Sequence, residues 1–229
     1  MHYPRIVFVD APTAVGKDYF IERFVKALGD INSELKVTVL RATDIIFNED
    51  TKTEDRKYTE YRTESEKTKA IFKGHLQLAT TIFEKLTSMT DRSDVVVVNR
   101  SFLSFLIYNI NPVIRANLND ARRALLIAEY TSMTKSYVEF YKKLFTYYPT
   151  LFVGLELRTA DNKTVDEVLA NRIQARNDGK PVARAWLRQI YRDYEQPDSS
   201  LMEIFTYKER VTSNDYMDIA MQYYSDAHA

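Results

Sequence analysis

Two runs in this 229-residue chain, Arg5-Ile-Val-Phe-Val9 and Asp94-Val-Val-Val-Val98, are apolar at almost every position. A strand with one wet face alternates apolar and polar residues, so continuous runs of this kind need cover on both faces. They belong in a parallel sheet between layers of helices, and the rest of the chain supplies those layers. Further strands are expected at residues 36–40, 151–157 and 202–207. Between residues 64 and 88, Ala70, Ile71, Leu76, Leu78, Ile82, Phe83 and Leu86 recur at helical spacing. Other helices are expected at 16–28, 119–147, 164–175, 183–195 and from Ser213, a good N-cap, to about residue 226. Asn119 or Asp120 suits the start of the 119–147 helix, and Pro149 lies just past its end. The charged, threonine-rich stretch 48–68 reads as an exposed connection.

Composition narrows the chemistry. The chain has no cysteine, which excludes disulfide scaffolds, thiolate metal sites and thiol nucleophiles. His2, His75 and His228 are too scattered for a histidine metal cluster or triad. Lys+Arg and Asp+Glu balance at 32 each, giving no general attraction to nucleic acid. No apolar run approaches the roughly 18 residues of a membrane span, and MHYPRIVFVD lacks a signal-peptide pattern. A cytoplasmic protein with no membrane partner is the expectation.

The stretch Val9-Asp-Ala-Pro-Thr-Ala-Val-Gly-Lys-Asp18 lies between an expected strand and an expected helix. That context suits a phosphate-binding loop, which turns tightly, points backbone N–H groups inward and sends a lysine to the outer phosphates. The helix that follows adds the partial positive charge of its N-terminus. Gly16 and Lys17 match the end of the Walker A pattern, while Ala11 replaces its first glycine and Asp18 its Ser/Thr. Ala11, Pro12, Thr13, Ala14, Val15, Gly16, Lys17 and Asp18 are the expected ATP-binding residues. A carboxylate at position 18 is able to ligate Mg²⁺ where the hydroxyl would have done so.

With this loop in its first strand–helix turn, the chain resembles the thymidylate kinase and deoxynucleoside kinase group of P-loop kinases. Asn99-Arg100-Ser101-Phe-Leu-Ser104 looks like the family's Asp/Glu-Arg-(Ser/Tyr) motif. Leu169-Ala-Asn-Arg172-Ile-Gln-Ala-Arg176 looks like the start of its arginine-bearing lid, and Arg41 sits where thymidylate kinases begin an Arg-Glu-Pro turn. The likeness spans most of the chain. It implies an α/β P-loop nucleoside/nucleotide kinase fold over residues 1–229, with a five-stranded parallel sheet flanked by helices and a lid at about 174–186. It also implies ATP as donor, Mg²⁺ as cofactor and a deoxynucleoside or deoxynucleotide acceptor.

Phosphoryl transfer is mostly positioning and charge stabilisation, which gives these residues roles. Lys17 would hold the outer phosphates, and Arg172 and Arg176, with Lys180 or Arg184, would close over the transferred group. Asp10 stands at the family's acidic position, as a base or as a metal contact. Asn99 departs from the family's acid and is able to be neither. Arg41 and Arg100 are the expected anchors for the acceptor, and Phe72 and Gln77 on the 64–88 helix its base contacts. The Arg-Glu-Pro turn is reduced to Arg41-Ala-Thr-Asp44, so the carboxylate expected to activate a sugar hydroxyl is missing. Both arginines survive, which tips the reading toward a deoxynucleoside monophosphate acceptor. A deoxynucleoside kinase, a kinase of a hydroxymethylated base in DNA and a nucleotide-binding regulatory module remain as alternatives. A homodimer is compatible with all of them.

Overall fold

Odd and even positions of the central strands serve different cores. On β1 (Arg5–Asp10), Ile6 and Phe8 join one apolar cluster, and Val7 and Val9 join another on the opposite face. The valine strand divides in the same way, Val96 and Val98 to the first cluster and Val95 and Val97 to the second. Two-sided burial is why these runs carry no polar alternation. The structure, a computed structural model, describes residues 5–46, 64–111, 115, 119–158, 164–176, 183–195 and 209–226.

After β1 come α1 (Lys17–Ile31), β2 (Val37–Arg41), α2 (Ala42–Ile46), α3 (Glu64–Thr87) and β3 (Val95–Asn99). Then follow α4 (Phe102–Phe105), a π-helical turn (Leu106–Ile110), α5 (Asp120–Tyr147) and β4 (Thr150–Leu155). The described chain ends with α6 (Val165–Arg176), α7 (Arg184–Glu195), β5 (Glu209–Val211) and α8 (Tyr216–Asp226). The strands form one parallel sheet in the order β2-β3-β1-β4-β5. Helices α3 and α5 pack on the first cluster, where Phe8 stacks on Phe152 at 5.0 Å and Tyr137 on Phe102 at 4.0 Å. Helices α1, α6, α7 and α8 contribute to the second, which includes Phe20, Phe24, Leu169, Leu187 and Tyr223.

This connectivity creates a crevice. From β1 the chain crosses through α1 outward to β2, whereas from β3 it crosses through α5 in the other direction to β4. Helices α1 and α5 lie on opposite faces, so the ends of β1 and β3 are left open between them. Ligands of parallel α/β sheets gather at such a reversal, beyond the carboxyl ends of the strands. The register pairs Val9 with Asn99 and Arg41 with Asn99, bringing the three strand exits to one edge.

Several boundaries differ from expectation. The strand expected at 202–207 lies outside the described residues, and the edge strand is β5, Glu209–Val211. Helix α8 begins at Tyr216 and not at Ser213, because the Asp215 carboxylate accepts from Thr212 N (2.7 Å) and Thr212 Oγ1 (3.0 Å) and closes a turn first. Asn119 is the N-cap of α5, accepting from Arg122 N at 2.9 Å. Helix α2 was not anticipated, and most of the 48–68 connection lies outside the described residues.

Candidate active site

The loop after β1 is held in a strained shape by its neighbours. Val15 N donates to Pro12 O at 3.4 Å, Ala14 adopts φ 65° and Gly16 φ 112°. Gly16 is the N-cap of α1 and no side chain caps this helix, so its first-turn N–H groups stay available to an anion. A Cβ at Gly16 would lie 3.0 Å from Ser213 Cβ and 3.1 Å from Ser213 Oγ, at a φ that side chains rarely adopt. Gly16→Ala is therefore expected to destabilise the fold by on the order of 1–3 kcal/mol and to weaken the binding of an anion at this helix start. Denaturant unfolding checks the first effect and calorimetric titration the second.

Lys17 turns back from the start of α1 and its Nζ donates to Asn99 Oδ1 at the end of β3. Asn99 Nδ2 in turn donates to Asp18 Oδ1 at 2.7 Å, and that oxygen lies 3.6 Å from Lys17 Nζ. Burial, reinforced by the Arg100 charge, pulls the Lys17 ammonium down to about 8, against the pull of Asp18 and Asp10. Burial alone would raise Asp18, but the Lys17 charge and the Asn99 hydrogen bond outweigh it and hold its carboxyl below the usual carboxylate range.

A lysine with this lowered pKa is partly neutral above about pH 8, and a polyphosphate bound beside it would restore its charge. Nucleotide binding should then take up a proton, and affinity should be steady below pH 8 and fall about tenfold per unit above it. Calorimetry at about pH 8.5 in buffers of different ionisation heat measures the uptake. Equal heats would contradict a phosphate contact at Lys17.

Asp10, buried at 1% exposure, is fully engaged. Its Oδ2 accepts from Ser101 N at 2.9 Å and from Ser101 Oγ, and its Oδ1 from Ser104 Oγ and, at 3.2 Å, from Tyr194 OH. With both oxygens occupied, Asp10 holds the exit of β3 and the end of α7 in place. Asp10, expected as a base or a metal contact, here accepts within the protein at both oxygens. Arg100 follows β3 at φ 85°, its N donating to Val9 O at 3.0 Å and its guanidinium lying 5.1 Å over the Tyr108 ring. Burial works against the Arg100 charge, but Tyr194, Tyr108 and Asp10 outweigh it and raise its pKa. The Tyr108 hydroxyl, on the π-helical turn, accepts from Thr13 N at 2.8 Å and so ties Arg100 to the loop.

The remaining expected residues divide. Arg172 reaches the loop, donating to Ala14 O at 3.0 Å and Val15 O at 3.4 Å. Arg176 closes α6, its side chain outside the described residues, as are residues 177–182 of the expected lid, Lys180 among them. Arg184, expected over a phosphate, is bound here at 2.7 Å to Glu167 and at 3.4 Å to Asp166 and links α7 to α6. Arg41 and Asp44 line an open groove with Asp18, Glu22 and Asn99. Phe72 is half-buried against Tyr137, at 5.6 Å between ring centroids, and Gln77 is exposed. Two residues earlier on α3, His75 is buried among Phe102, Phe105 and Tyr137, and burial lowers its pKa to about 3. Sequence reasoning missed His75, Tyr108 and Tyr194, whose roles rest on contacts between distant segments.

Among the described residues, no group of three or more histidine or acidic side chains is placed to hold a metal alone. Mg²⁺ bound with a nucleotide needs only one or two carboxylates, the phosphates and waters supplying the rest. Asp18, exposed at the groove beside Lys17, fits that requirement. Among the described residues, no helix is long and apolar enough to cross a membrane. No protein-family model matches the chain, and no curated protein matches it.

Proposed function

We propose that the protein is a P-loop kinase that transfers the terminal phosphoryl group of ATP to a deoxynucleoside monophosphate. The observation that carries this reading is the loop itself: an uncapped helix N-terminus behind Gly16, with Lys17 brought to the end of β3. Together they offer backbone donors and a cation at the crevice where ligands of such sheets bind. In the transfer, the bond from the γ-phosphorus to the β–γ bridging oxygen breaks, and a phosphate oxygen of the acceptor takes its place. Lys17 would neutralise the charge gathering on the leaving diphosphate. Asp18 would hold the Mg²⁺ that accompanies the nucleotide, which would supply positive charge against that of the donor's phosphates. Arg100, fixed on Tyr108, and Arg41 at the groove would hold the acceptor's phosphate.

A phosphate oxygen needs no base, which suits a site whose buried acid, Asp10, is otherwise engaged. Asp10 is saturated with donors, and Asp18, held below the usual carboxylate range, is a weak proton acceptor for a hydroxyl. Among the described residues, the groove beside β2 sets Asp18, Glu22 and Asp44 against Arg41, a balance that suits one phosphate contact better than a run of them. The test is a transfer screen with labelled ATP against deoxynucleosides, their monophosphates, and DNA with normal or hydroxymethylated bases. A monophosphate is expected to be the best acceptor, with Arg41→Met and Arg100→Met each losing roughly ten- to a hundredfold in its affinity. A better hydroxyl acceptor would reject the substrate class, and ATP binding without any transfer would favour a regulatory module.

A further inference from the structure

Position 18 carries an acid where phosphate loops have a hydroxyl, and position 99 carries an amide at the end of β3. These side chains touch: Asn99 Nδ2 donates to Asp18 Oδ1 at 2.7 Å, while Asn99 Oδ1 accepts from Lys17 Nζ. Charge forces the amide into this orientation. Turned over, its NH₂ group would face the ammonium and its oxygen would face the carboxylate. An acid at 99 would set two carboxylates at hydrogen-bond distance with no proton between them, an arrangement that like charges resist. Amides at both positions would keep a hydrogen bond but leave the loop's end without an anion.

Resting on the kinase reading, we infer that Asn99 is a positioning residue and that positions 18 and 99 form one unit carrying a single acid, which works from either end. Asn99 sets Lys17 and Asp18 together: it steadies the ammonium and aims the carboxylate at the groove. The departure at 18 from the phosphate-loop pattern and the amide at 99 are on this view a single change, a charge moved across a hydrogen bond. An exchange of the two residues keeps the side-chain sizes, the bridge and the net charge. It also keeps an oxygen at 99 to accept from Lys17.

The test uses four proteins: wild type, Asp18→Asn, Asn99→Asp and the double exchange. The first measurement is denaturant unfolding of each free protein. Asn99→Asp should be the least stable, and the added Asp18→Asn should restore wild-type stability, a strongly non-additive result. Additive changes would overturn the proposal. Should Asn99→Asp fail to fold, a folded exchange variant is the same result in stronger form, and an unfolded one overturns it. The second measurement is the gain in affinity for a non-hydrolysable ATP analogue when Mg²⁺ is added, read by calorimetry. Each single variant should lose about tenfold or more of that gain, and the exchange should return to within about threefold of wild type. An exchange no better than the poorer single variant would overturn the pairing. Absence of analogue binding in wild type would remove the kinase reading and leave the pairing, which the unfolding cycle decides by itself.

Discussion

Replacing Lys17 with alanine is expected to lower the rate of phosphoryl transfer by at least about 10²–10³-fold, the scale for a donor aimed at developing charge. The fold should survive. Lys17 is buried at the mouth of the crevice, and its lowered pKa records what that burial costs the charged form. Removing the ammonium lifts that cost while leaving Asn99 Oδ1 without its donor, and the two changes oppose each other. Arg100 is not expected to step in, because its guanidinium is fixed against Tyr108 and, on the proposed reading, serves the acceptor's phosphate and not the donor's. Single-turnover transfer on a protein with a wild-type unfolding midpoint is the measurement. Near wild-type turnover would remove the phosphate-loop assignment.

The largest effect on stability is expected from Asp10→Ala. The carboxylate is buried and accepts from Ser101 N and Oγ, Ser104 Oγ and Tyr194 OH, so the substitution removes the acceptor of four donors, Ser104 and Tyr194 keeping only their 2.7 Å contact with each other among the bonds of this network. Stranding them costs about 3 kcal/mol or more, which for a chain of this size lowers the melting temperature by roughly 6–12 °C. Asp10→Asn keeps one acceptor oxygen and should lie between the two. A melting temperature within about 2 °C of wild type for Asp10→Ala would show that the network carries no weight.

What the sequence discloses depends on how far a residue's partners lie along the chain. The valine strand is legible because burial on both faces leaves an unbroken apolar run. β5 is not, since three residues at a sheet edge, with Val211 the one buried position described, make no pattern. The loop is legible because Gly16, Lys17 and the strand before them are contiguous. The work of Asp10 is not, because its donors stand 91, 94 and 184 residues away. On α3 the helical spacing was readable but its phase was not. Leu78, Ala79 and Ile82 face the core, which turns His75 inward and leaves Gln77 exposed. Asp18 and Asn99 each looked like a departure from a motif, and only their contact makes them a pair.

The ion pairs between α6 and α7 have a mechanical consequence. Arg184 and Arg188 fasten α7 to Asp166 and Glu167 at the foot of α6, and Leu169, Ile173 and Leu187 share one core. The two helices thus form a stiff lever that rests on the loop's edge at two points: Arg172 on the carbonyls of Ala14 and Val15, and Tyr194 on Asp10. Packed elements bound in this way shift together, because a close-packed interior transmits strain instead of absorbing it. Were a bound anion to draw Arg172 off those carbonyls, the displacement would be expected to load Tyr194 as well, and through it Ser104 and the exit of the valine strand.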